Sequence, residues 1–486
     1  MKDSKLISLL KSLSPEEFRK FEKFADSSYY NMGRDLSSFI KVLKTFYPEF
    51  ESNDLNSNFI FKKLYKGKKY DSVKSENLIR TFSSHLFRVC KEFLVILEIE
   101  SRVNTKKYLL LNQLKKKSLY KEFDKEFNSI EENIDHTGKG SVGYFVDKFL
   151  ISAIKRDCSL NRDDFGKATE YTIKASENII TAALISAYKF EDEKNLFNAY
   201  NYSIPENLIQ SFLDNINSEN LITDLKRKGN NNYRYLEIFK YIYLMNLNKD
   251  KREYFYLLKD LLIKNSSIFG QSENYVLWNI MLTYCGINKI DNSEIFQIYK
   301  HMIENEIFRL SDKDKFHIVL FRNIVLNSYS TVEIKWLENF IEKYSPYLHE
   351  SHIENMRSYS LAYLCYAKSE YGKALEHILN IKYNLFLFKL DLRILQSKIY
   401  YELRYFEEGL SLISTILTYL NSTKEFGDFI KKSVGNFAKC LRELILIRTS
   451  AKNNEENFFK LKKDIKNISH TNLSKWVEEK IDEITL

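Results

Sequence analysis

Five lysines fall within eight positions: Lys62, Lys63, Lys66, Lys68 and Lys69, with Leu64, Tyr65 and Tyr70 between and beside them. Clustered ammonium groups neutralise phosphates and release their counterions, so this segment is a candidate nucleic-acid contact. Arg80, Arg88, Lys106, Lys107 and Lys115-Lys116-Lys117 extend the basic run. A helix over Ser75–Cys90 would then take the place of a recognition helix in a helix-turn-helix or winged-helix arrangement. The competing expectation is a solvated surface or a contact with an acidic protein. Lysine is the default exposed residue, and base-reading arginines are few here.

Three other motifs suggest chemistry and lack its context. Gly138-Lys139-Gly140-Ser141-Val142-Gly143 spells G-x-G-x-x-G. A dinucleotide site needs a strand before that turn. The preceding Leu119, Tyr120, Phe123, Phe127, Ile130 and Ile134 are spaced as a helix, and no βαβ unit follows. The segment therefore reads as a flexible interdomain loop. Asp164-Phe165-Gly166 echoes a kinase metal-binding triplet without the other kinase motifs. His349 and His352 could share a helix face near Glu354, but the zincin motif needs histidine where Ile353 stands, so a helix start is expected. No cofactor, metal or catalytic residue is assigned.

The elements that must position any site are helices. The chain has 486 residues with only 13 glycines and 4 prolines. Ordinary usage would give about 12% of the two together. Tight turns need Gly for positive φ and Pro for fixed φ, so a chain this poor in both makes few hairpins of strand. An all-α fold is expected. The five cysteines, Cys90, Cys158, Cys285, Cys365 and Cys440, form no C-x-x-C pair and read as buried thiols of a reducing compartment. No apolar run approaches the roughly 18 residues of a membrane span, so a cytoplasmic location is expected. The net charge of +9 resides in the first quarter, where residues 1–120 hold 24 Lys/Arg against 14 Asp/Glu.

Ser14-Pro15-Glu16-Glu17 predicts a helix start with a capping box, followed by an aromatic stripe at Phe18, Phe21 and Phe24. Further helices are expected over Asp35–Tyr47, over Ser57–Tyr65 ending at Gly67, and from Ser75 on. In the last, Ile79, Phe82, Leu86, Val89, Phe93 and Ile96 step by three and four. Leu13-Ser14-Pro15-Glu16-Glu17-Phe18, Phe21, Lys23-Phe24, Ser28-Tyr29-Tyr30-Asn31 and the lysine segment through Tyr70 resemble the N-terminal signature of a bacterial all-helical family of about this length. The resemblance covers roughly residues 5–100. It implies a domain layout and a bacterial origin, and brings no activity with it.

The C-terminal third contains an internal repeat. Leu361-Ala362, Cys365, Tyr371, Ala374-Leu375, Ile378 and Ile381 each precede by 35 residues Gln396-Ser397, Tyr400, Phe406, Gly409-Leu410, Ile413 and Ile416. This resembles the tetratricopeptide repeat, whose period is about 34. It departs from that consensus at the Trp and Gly positions, and no Pro closes either unit. The expected layout is a basic N-terminal helical domain over 1–135, an irregular helical array over 144–345, and tetratricopeptide-like repeats with a C-terminal capping helix over 346–486. Together these form a helical domain followed by an α-solenoid. Tyr359, Tyr363 and Tyr366 share one helix face, and Lys398 and Tyr401 take comparable places one unit later. They either line a peptide groove or pack against a neighbouring helix. The leading expectation is a non-enzymatic adaptor that binds a protein or peptide partner through these residues. The alternative is a nucleic-acid-binding regulator that uses the lysine cluster.

Overall fold

The computed structural model describes residues 2–31, 36–132, 138–199, 202–288, 290–310, 314–330, 333–381, 386–423, 427–449, 455–468 and 471–485. Among them every regular element is helical, with 25 α-helices, two 3₁₀ turns and no strand. The chain is all-α, as its turn chemistry predicts. No described helix is long and apolar enough to cross a membrane.

The shortage of glycine shows at the helix ends. Ser118, Asp163, Glu306, Ser369 and Arg404 all take φ between 54° and 60°. After each, the next N–H reaches back to a carbonyl five residues earlier: Leu119 to Leu114, Asp164 to Ser159, Ile307 to Met302, Glu370 to Cys365 and Tyr405 to Tyr400. This is the Schellman closure, in which glycine is the usual left-handed residue. Ser369 and Arg404 stand 35 residues apart, so the backbone repeats the spacing of the side chains. Arg404→Gly should relieve the Cβ clash at φ 58°. It should stabilise the fold by about 0.5–1 kcal/mol after glycine's larger unfolded-state entropy is allowed for. Thermal melting reads this, and an unchanged or lower Tm would contradict it.

The chain divides into two compact units. The first comprises Met1–Asp135 with Ala153–Thr169. Ser14 N–H donates to Glu17 Oε2 (2.7 Å) and Glu17 N–H to Ser14 Oγ (3.3 Å), which completes the expected capping box. The helix Pro15–Asp26 then buries Phe18 and Phe21, with the Phe21 ring 5.3 Å from Phe93. The long helix Lys74–Ser101 is the spine of this unit and packs on Lys5–Ser12, Pro15–Asp26 and Ser57–Leu64. Its buried Ile79, Leu86, Val89 and Phe93 follow the predicted seam. The helix expected over Asp35–Tyr47 spans Ser37–Lys44, and Asp35 itself lies outside the described residues. Asp124 accepts from Lys155 Nζ and Arg162 Nη1, each at 2.7 Å, and Lys115 Nζ lies 3.1 Å from Asp157. These pairs group residues 153–169 with the first unit, whereas the sequence placed them in its middle segment.

The second unit comprises His136–Ser152 and Glu170–Leu486. From Asn232 onward its helices pack in chain order. Gln271–Ile287 lies on Asn292–Glu304, Ile318–Ser328 on Ile334–Tyr344, Glu350–Ala367 on Tyr371–Leu379, and Phe386–Glu402 on Phe406–Ser422. Glu350–Ala367 also touches the first helices of the pairs before and after it, Ile318–Ser328 and Phe386–Glu402. One apolar cluster runs from Phe145 to Ile399 with no break at Ser345-Pro346. A second, from Leu390 to Ile481, is completed by the last helix, Thr471–Thr485. That helix buries Leu473, Trp476, Val477 and Ile481, and exposes Glu478, Glu479, Asp482 and Glu483.

Candidate functional site

The predicted tyrosine stripe does not face a groove along its length. Tyr359 and Tyr363 are buried. Tyr359 Oη donates to Asp391 Oδ2 (2.8 Å) and Tyr363 Oη to the Asp391 carbonyl (3.2 Å). Arg322 grips the same carboxylate with two donors, Nη2 at 2.6 Å from Oδ1 and Nε against Oδ2. Burial, and then the Asp391 charge, hold the Tyr359 phenol well above its usual pKa. These tyrosines are therefore donors inside a polar knot that joins three hairpins. Tyr401 is also buried, with its ring 5.4 Å from Trp476 and the Arg448 guanidinium over it at 5.1 Å. As partner contacts, Tyr359, Tyr363 and Tyr401 are corrected to interior residues, because the neighbouring hairpins cover them.

Tyr366 and Lys398 stand differently. Both line a cleft of about 400 Å³ in the second unit. One wall is Tyr366 and Tyr371. The floor is Lys398 and Glu402 on Phe386–Glu402. The far wall is Trp476 and Glu479 on the last helix. Lys475 Nζ lies 3.4 Å from Asp291 Oδ2, the cap of Asn292–Glu304, so the last helix meets an element 184 residues earlier across this cleft. Lys480 Nζ pairs with Glu402 at 2.9 Å and with Glu483 at 2.6 Å.

Lys398 is 2% exposed. Its Nζ lies 5.3 Å from the Trp476 ring centroid and 5.8 Å from that of Phe437. Among the described residues it has no ion pair and no hydrogen-bond acceptor. Burial pulls its pKa down to about 7, while Glu479 and Glu402 work against that shift and Lys480 adds to it. Trp476 keeps its indole N–H buried beside the Tyr366 hydroxyl. The cleft therefore presents a buried cation without an acceptor beside an aromatic wall, which suits it to hold an acceptor-bearing ligand.

The lysine cluster is wholly solvent-facing. Lys62, Lys63, Lys66, Lys68 and Lys69 are all exposed, and none pairs with an acid among the described residues. Lys63 lies over the Phe59 ring at 5.5 Å and Lys68 over Tyr65 at 5.3 Å. The other motifs are structural. Gly140 is buried at φ +90°, where a Cβ would come within 2.3 Å of the Phe269 ring, and Gly270 N–H donates to the Lys139 carbonyl (2.8 Å). The segment expected to be a flexible loop is thus a packed turn that starts the helix Val142–Leu160, although His136 lies outside the described residues. His349 caps Glu350–Ala367. All five cysteines are buried free thiols, and burial pushes Cys90, Cys285 and Cys440 to about 12, far from a reactive thiolate.

The sequence reading missed Glu402, Lys475, Lys480 and Asp291 as cleft residues, and Arg322 and Asp391 as the knot. One signal was present. Lys398 stands 35 residues after Tyr363, so a charge occupies a position that the repeat assigns to the core.

No protein-family model, curated protein or solved structure matches the chain.

Proposed function

We propose that the chain is a cytoplasmic, non-enzymatic scaffold, an α-solenoid of tetratricopeptide-like hairpins that holds a protein or peptide partner in the Lys398 cleft. The observation that supports this reading is the make-up of the cleft. Its lining comes from separate hairpins and the last helix, and it retains a buried cation with no acceptor. Stacked helical hairpins give concave surfaces, and such surfaces bind partners. Co-purification of the full chain with Lys475→Glu tests it, because Lys475 is exposed at the cleft and its reversal leaves the core intact. Glu407→Arg, on an exposed position outside the cleft, is the control. The reading expects a discrete partner to be lost with the first variant and kept with the second. Equal recovery would count against it.

A second reading, nucleic-acid contact through the first unit, is favoured by the exposure of all five clustered lysines without acidic partners. If the five neutralise phosphates, log K against log salt should fall with a slope of about −4 on duplex DNA. Replacing Lys62, Lys63, Lys66, Lys68 and Lys69 by Gln should flatten it. A salt-independent signal, or a slope unchanged by the replacements, would remove this reading.

A further inference from the structure

We propose that the cleft takes a single carboxylate, borne on an apolar or aromatic body, and holds it through Lys398. The inference rests on the cleft being the binding site, and it specifies what binds there. A buried donor without an acceptor is costly, so the Lys398 ammonium is a standing demand for one. The Lys398 ammonium has ring faces on Trp476 and Phe437, which attract its charge but accept no hydrogen bond.

The charge balance favours a monoanion. The lining holds three acids, Asp291, Glu402 and Glu479, and three lysines, Lys398, Lys475 and Lys480. Asp291 pairs with Lys475 and Glu402 with Lys480, while Lys398 makes no ion pair among the described residues and feels Glu479 and Glu402 only at longer range. A phosphate dianion would add two negative charges to this balanced lining, and a carboxylate adds one. The aromatic wall of Tyr366 and Tyr371, whose rings lie 5.6 Å apart, suits an apolar body behind it.

Binding then couples to a proton. The empty cleft favours the neutral amine above about pH 7, and the carboxylate favours the ammonium. The other titratable groups that line the cleft are Asp291 at the start of Asn292–Glu304, Tyr329 at the end of Ile318–Ser328, Tyr366 on Glu350–Ala367, Tyr371 on Tyr371–Leu379, Glu402 on its own helix, and Lys475, Glu479 and Lys480 on the last helix. Burial holds Tyr366 well above the usual phenol range, and hydrogen bonds from Lys480 to Glu483 and Glu402 outweigh its own burial and raise it.

The test uses the full chain and four probes: acetyl-phenylalanine, its amide, an acetylated pentapeptide ending in Phe, and that peptide's C-terminal amide. Calorimetry at pH 8.5 in two buffers of different ionisation enthalpy reads affinity and proton uptake. The carboxylates should bind about thirtyfold or more tightly than the amides, with uptake of about 0.9 proton. Lys398→Met should abolish both the preference and the uptake. Circular dichroism and melting establish that the variant is folded. Carboxylate and amide binding alike, no binding of any probe, or a preference that survives Lys398→Met would each overturn the inference. If the pentapeptide binds regardless of its terminus, the carboxylate site fails and the scaffold stands. If only acetyl-phenylalanine binds, the carboxylate site stands and the partner reading fails.

Discussion

Asp391→Ala should destabilise the second unit by about 3–5 kcal/mol, because it leaves the Arg322 guanidinium buried without its carboxylate. The same change strands the Tyr359 hydroxyl, which now donates to Oδ2. The pair sits where Ile318–Ser328, Glu350–Ala367 and Phe386–Glu402 meet, so the loss should loosen the stack rather than one hairpin. Thermal melting and limited proteolysis both report it. The double variant Arg322→Met with Asp391→Leu should recover most of the loss, since a hydrophobic replacement of both partners removes the desolvation cost along with the attraction. Tyr359→Phe alone should cost about 1 kcal/mol. A single Asp391→Ala that melts within a degree of wild type would show that the knot does not hold the hairpins together.

The second large effect concerns pH. Lys398 titrates near 10.4 in an unfolded chain and at about 7 in the fold. Between those values the unfolded chain carries a proton that the folded chain does not. Stability from this group is therefore lowest below pH 7 and rises with pH until about 10.5. From pH 7 to pH 9 the gain is about 2 kcal/mol. Lys398→Met has no such dependence. It should be at least as stable as wild type at pH 7, with the wild type gaining on it by about 2 kcal/mol by pH 9. Paired denaturant melts at the two pH values give the difference directly and cancel the other titrating groups. A difference that stays constant would mean that Lys398 remains charged in the fold.

Local signals in the sequence carried far. The capping box at Ser14 and Glu17 and the seam from Ile79 to Phe93 rest on residues within a few turns of one another, and the 35-residue offset compares two hairpins that each close locally, so local physics decides them. The last offset even reappears in the paired left-handed turns at Ser369 and Arg404. The cleft was not legible, because its walls are remote in sequence. Trp476 covers Lys398 from 78 residues away, and Lys475 meets Asp291 from 184. Helical spacing puts Tyr359, Tyr363 and Tyr366 on one face, but it cannot say which hairpin covers that face. Here the Arg322–Asp391 pair draws two of them inward and leaves Tyr366 at the cleft. The six-residue glycine motif misled for a related reason. The need for glycine at Gly140 comes from Phe269, which sequence distance hides.

Site-specific photo-cross-linking addresses the partner reading most directly. A photoreactive benzoylphenylalanine replaces either Tyr371, at the cleft, or Tyr256, an exposed tyrosine outside it. The account predicts one discrete protein or peptide adduct from position 371 that is lost when Lys475→Glu is added, and none from position 256. Adducts equally strong at both positions, or adducts at 371 indifferent to Lys475→Glu, would contradict it.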